Sequence, residues 1–117
     1  MTQSWSLIVA RYAQHPVDNV SVNGVAALAR HIHDSALSSG LFGWTSMFDL
    51  CITQTEVFYP YDGPYLRVSP AMNGMVDFRY FDTMVTSQQW QRTVPASETI
   101  ARLQGFLAQL HWFAAVQ

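Results

Sequence analysis

Between Tyr65 and Asp82 two alternating arms flank Asn73-Gly74, and this pattern commits the chain to an antiparallel hairpin. Side-chain sorting then sets the register. A two-residue loop at Asn73-Gly74 would place Val68 opposite Arg79 and Ser69 opposite Phe78, mixing the two faces. A three-residue loop, Met72-Asn73-Gly74, instead pairs Pro70 with Val76, Val68 with Phe78 and Leu66 with Tyr80. All of the apolar pairs then share one face, with Gly74 left-handed at a bulge. The other face receives Ser69 with Asp77 and Arg67 with Arg79. Two guanidinium groups side by side are unfavourable unless a carboxylate or other anion lies between them.

The same period of two starts at Trp44, with Phe48, Leu50 and Ile52 on one side and Met47, Asp49, Cys51 and Thr53 on the other. This predicts one strand ahead of the hairpin. A fourth strand is expected over about Gln89 to Val94, where Trp90, Arg92 and Val94 alternate with Gln91 and Thr93. Helical spacing takes over at both ends. Trp5, Ile8, Val9 and Tyr12 mark a short helix from Trp5 to Gln14, ending at His15-Pro16 because proline disfavours helix in the residue before it. A second helix is expected over about 24–38, with Asn23-Gly24 at its cap, Val25, Leu28, Ala29, Ile32 and Ala36 on its apolar side, and Gly40 and Gly43 ending it. In the last helix Ser97 stands at the cap position, and Ile100, Leu103, Phe106, Leu107, Leu110 and Phe113 form the stripe. Gly105 weakens it by ~1 kcal/mol relative to alanine, which predicts close approach to a neighbour. The result is an α+β fold in one domain over 1–117: two N-terminal helices, a four-stranded antiparallel meander sheet and a C-terminal helix packed on the sheet.

Charge narrows the function classes. Only 12% of residues are charged, against about 25% in an ordinary domain. There is no lysine, and six scattered arginines face eight carboxylates for a net charge of -2. Nucleic-acid binding through a basic patch is not expected. Schiff-base, pyridoxal-phosphate and Walker-type phosphate chemistry lack their lysine, and no Gly-rich phosphate loop, Gly-x-Ser-x-Gly elbow, His-Glu-x-x-His or paired Cys-x-x-Cys occurs. No cofactor and no metal are expected. His31-Ile32-His33-Asp34 would suit a metal on a strand, but on a helix its imidazoles diverge by about 200°. No apolar run approaches the ~18 residues of a membrane span. Met1 to Ala10 carry no cation ahead of their short apolar run, so no signal peptide is expected. With a single cysteine, the expected location is cytoplasmic.

A surface short of charge and rich in rings favours association. Two groups of residues are candidates for contact. The aromatic turn Phe58, Tyr59, Tyr61 and Tyr65 offers large rigid contact area with polar tips, or else covers one end of the core. The outward sheet face gathers Asp49, Cys51, Arg67, Ser69, Asp77 and Arg79 from successive strands. Its charges suit a partner's charges or an anionic ligand, and equally suit a plain lattice of surface ion pairs worth ~0–1 kcal/mol each. Cys51 reads as a partly buried structural thiol. The expectation is therefore a non-catalytic protein-interaction domain, a homodimer or a small inhibitor-type partner, with no catalytic residue assigned. The alternative is a small-ligand binder or enzyme in which Arg67 and Arg79 hold an anionic group and His111 with Asp49 or Asp77 supplies acid-base chemistry.

Overall fold

The computed structural model describes residues 2–14, 18–58, 61, 63–82 and 84–112. In chain order these form α1 (Trp5–Gln14), α2 (Val20–Asp34), β1 (Phe42–Ser46), β2 (Asp49–Thr53), β3 (Tyr65–Pro70), β4 (Met75–Phe81), β5 (Trp90–Pro95) and α3 (Thr99–Leu110). The fold is α+β, as the residue pattern predicts, but the sheet has five antiparallel strands in the order β1-β2-β3-β4-β5. The extra strand comes from the segment around Met47. The expected single strand is a hairpin in which Ser46 pairs with Asp49, leaving Met47 and Phe48 as a two-residue loop. Met47 adopts a positive φ of 56° there, a conformation that glycine or asparagine ordinarily supplies, so the loop carries no turn residue to announce it.

The β3–β4 register matches the expected one: Leu66 with Tyr80, Arg67 with Arg79, Val68 with Phe78, Ser69 with Asp77 and Pro70 with Val76. Asn73 and Gly74 are both left-handed, at φ 59° and 73°, and the Ala71 N–H donates to the Met75 carbonyl across the loop at 2.9 Å.

All three helices lie on one face of the sheet. Leu50, Ile52, Leu66, Val68, Val76, Phe78 and Val94 are fully buried there against Ile8, Val25, Leu28, Ile32 and Leu103. Polar ties fix the helices in place. Trp5 donates its indole N–H to the Leu41 carbonyl at 2.9 Å, Tyr12 its hydroxyl to the Phe48 carbonyl at 3.0 Å, and Ser21 its hydroxyl to the Ala71 carbonyl at 2.7 Å.

Three helix boundaries differ from expectation, the first being the end of α2, which stops at Asp34 before a separate 3-10 turn over Ala36–Ser39 instead of running on to about residue 38, while Gly43 lies within β1. Asn19, rather than Asn23, caps α2, its side chain accepting from the Val22 N–H at 3.1 Å. Gly24 instead lies inside the helix, where a Cβ would stand 2.7 Å from that of Ala96. Ser97 falls in a single 3-10 turn, Ala96–Glu98, and does not cap α3. Gly105, in contrast, has nothing within 4 Å of where its Cβ would be, so the close approach expected at Gly105 occurs at Gly24. His15, Pro16 and Phe113 lie outside the described residues.

Candidate functional site

The face turned away from the helices is built by alternation, and its residues fall into bands. Along β4 the outward positions are Met75, Asp77, Arg79 and Phe81, about 6.8 Å apart. Cross-strand pairing extends each band. Asp77 lies between Ser69 and Thr93, Arg79 between Arg67 and Gln91, and Phe81 beside Tyr65. Cys51 joins Arg67 to Trp44. The face therefore runs from an apolar edge through an acidic band and a cationic band to an aromatic corner.

The charged bands satisfy one another unequally. Arg67 donates from Nε to Asp49 Oδ2 at 2.7 Å. Burial is the strongest single influence and works against the Arg67 charge, but the hydrogen bonds to Asp49 and Tyr65 and the nearby Cys51 and Asp49 charges together overcome it and raise the guanidinium pKa. Asp77 accepts from the Thr93 hydroxyl at 2.6 Å, while Arg79 reaches only to 3.9 Å from its other oxygen. Carboxylates thus flank the adjacent arginines, as that pairing requires. Arg79 remains the looser of the two, with its side chain 45% exposed. Beneath this layer Cys51 is fully buried, and burial pushes its thiol up to about 11 although Arg67 pulls the other way. It is a structural cysteine.

The aromatic corner is assembled from parts far apart in sequence. Trp44 meets Tyr65 at 5.6 Å between ring centroids and Tyr61 edge-on at 6.3 Å, and Tyr65 stacks on Phe81 at 5.1 Å. All four rings are half-buried, so each keeps a surface toward solvent. Tyr61 also donates its hydroxyl to the Pro64 carbonyl at 2.7 Å. Phe58 is exposed and makes no ring contact with the corner among the described residues. Tyr59 lies outside the described residues. Among the described residues, the turn contributes Tyr61 and Tyr65 to the outer face.

Trp44 and Phe81 belong to this site but are absent from the sequence-derived set. Extending the β3–β4 register by one outward pair finds Phe81. Trp44 becomes visible only when the Met47-Phe48 loop is recognised, because a two-residue loop reverses which parity faces out.

The acid-base pairing of His111 with Asp49 or Asp77 is not formed. His111 closes α3, which packs through Leu103 and Phe106 on the Phe78 face of the sheet, whereas Asp49 and Asp77 belong to the opposite face. A cavity of about 220 Å³ is lined by Arg11, Tyr12, Met47 and Phe48, and neither Arg67 nor Arg79 lines it. His33, within α2, is taken up by Asp34 at 2.7 Å and Ser6 at 3.3 Å. No group of three potential metal ligands occurs among the described residues. Nor is any described helix long and apolar enough to cross a membrane. The chain matches no protein-family model, no curated protein and no solved structure.

Proposed function

We propose that this is a non-catalytic protein-binding domain whose contact surface is the outer sheet face, centred on Trp44, Tyr65, Arg79 and Phe81. One observation carries the proposal: among the described residues the five-stranded sheet has helices on one side only, and its other side joins half-buried rings to incompletely paired charge. Rings beside an arginine are the residue types that anchor protein interfaces. The domain works in a reducing, cytoplasmic setting, supported by its single buried cysteine. A small anionic ligand is less well served, because Arg67 is already engaged by Asp49 and a sheet face is shallow.

Photo-crosslinking inside cells that express the chain tests the proposal. With a photoreactive phenylalanine analogue in place of Tyr65, a covalent protein adduct is expected. The adduct should disappear on adding Trp44→Ser or Phe81→Ser and persist with Leu7→Ser, which alters an exposed residue of α1. Absence of an adduct at Tyr65, or one indifferent to Trp44 and Phe81, would refute the assignment.

A further inference from the structure

We infer that the partner seated on this face is a second copy of the same chain, packed sheet against sheet about a two-fold axis. The inference rests on reading the outer face as a contact surface and adds the identity of its occupant. What points to a second copy is the order of side chains along β4: apolar Met75, acidic Asp77, basic Arg79, apolar Phe81. Turning this series end for end places acid over base and apolar over apolar. A two-fold axis that lies between the sheets and crosses the strands midway from Asp77 to Arg79 performs that inversion. It sets Arg79 of each protomer over Asp77 of its partner and Phe81 over Met75, a ring-to-thioether contact.

Neighbouring strands agree with this axis. Ser69 would lie over the partner's Arg67, and Thr93 over its Gln91, by the same exchange of adjacent bands. Sliding the sheets by two residues would stack Arg79 on Arg79 or Asp77 on Asp77. Like-charge juxtaposition is costly at an interface, so the register is selected as well as permitted. The outer face balances two arginines, Arg67 and Arg79, against two aspartates, Asp49 and Asp77, so no net charge opposes its meeting a copy of itself.

The sheet edges are less suited to the same task. The outer edge of β1 is bridged by Gln3, whose N–H donates to the Gly43 carbonyl at 2.8 Å. On β5 the exposed Arg92 lies over the Trp90 ring and donates to the Gln91 carbonyl at 2.9 Å, and a cation on an edge strand discourages pairing with another chain. Area sets the strength expected of the face. Five strands of about six residues present roughly 24 by 20 Å, so two such faces bury about 1,000 Å² in total, at the small end of specific interfaces. The dimer should therefore be reversible and concentration-dependent.

Sedimentation velocity from 1 to about 500 µM tests this with wild type, Phe81→Ser, the charge variants Arg79→Asp and Asp77→Arg, and an equimolar mixture of those two, each checked for folding by circular dichroism. Wild type should move from monomer to dimer. Each charge variant alone should need at least about ten-fold more protein to associate, since it stacks like charges, and the mixture should recover the association because opposite charges meet again. A wild-type chain that stays monomeric throughout overturns the self-partner and leaves the photo-crosslinking test of the face standing. A dimer unmoved by either charge reversal but lost in Phe81→Ser overturns this register and retains the face. A dimer indifferent to all three substitutions overturns both.

Discussion

The two faces of this sheet are made from alternate residues of the same strands, yet they solve different problems. On the helix side Phe78 is fully buried and touches Phe106 at 4.9 Å between centroids. On the open side, Phe81 stacks on Tyr65 and keeps part of its ring in water. The covered face is completed within the chain, whereas rings and charges on the open face are held in position without being fully used. Substitutions on the two sides should therefore separate stability from association.

The largest effect is expected at Phe78. Phe78→Ala should cost about 3–5 kcal/mol of unfolding free energy, from lost burial and the cavity left behind, measured by urea denaturation. Phe81→Ser, three residues away, should cost about 1 kcal/mol because it loses mainly one ring pairing, yet should abolish association. Equal destabilisation at the two positions would erase the distinction between the faces.

The helix layer itself can be probed with two glycines. Gly24→Ala forces a Cβ against Ala96, including its backbone at 3.0 Å, and overpacking of this kind should destabilise by about 1–3 kcal/mol. Gly105→Ala meets open space and should stabilise by about 0.5–1 kcal/mol through helix propensity. Opposite signs in the same denaturation series would confirm that α2, and not Gly105 of α3, makes the tight contact.

Cys51 sharpens the comparison from the open side. Its thiol is covered and its pKa is pushed up to about 11 by burial, so a disulfide reagent at pH 8 should react far more slowly with native than with denatured protein. Because the folded pKa is the higher one, the cysteine's contribution to stability is intact below about pH 8.5, the unfolded value, and is lost as pH rises toward about 11.

The smallest effect belongs to Asp82, which continues the covered-face parity beyond β4. Its carboxylate accepts from the N–H groups of Val85 and Met84 and from the Tyr80 hydroxyl. The Val85 N–H contributes most to holding its pKa below the ordinary carboxylate range, burial opposes this, and the Met84 N–H adds to it. Stability from Asp82 is present above about pH 3.9, the unfolded value, and is lost as pH falls through the lowered native value. Asp82→Ala should accelerate amide exchange at Met84 and Val85 while leaving Phe78 protected.

Much of the fold could be read from residue order because its signals are local. Asn73-Gly74 and the alternation beside it fix the β3–β4 register, and the periodic residues of α1 give its full extent. The β1–β2 hairpin escaped because Met47 takes a left-handed conformation without being glycine or asparagine, and alternation on either side reads as one strand. That miss also concealed Trp44, since a side chain's face depends on the loop before it. The charges of the outer face were legible once the register was known. The aromatic corner was not, because its rings meet only after β1, β3, β4 and the loop carrying Tyr61 have come together.

The most direct test of the open face is a concentration series of amide nitrogen–proton NMR spectra, from about 20 µM to 1 mM. Self-association through this face should shift outward-facing residues alone, led by Trp44, Tyr65, Asp77, Arg79 and Phe81, with α1, α2 and α3 unchanged. Spectra that do not change with concentration, or that change along the helices, would contradict a second copy on this face.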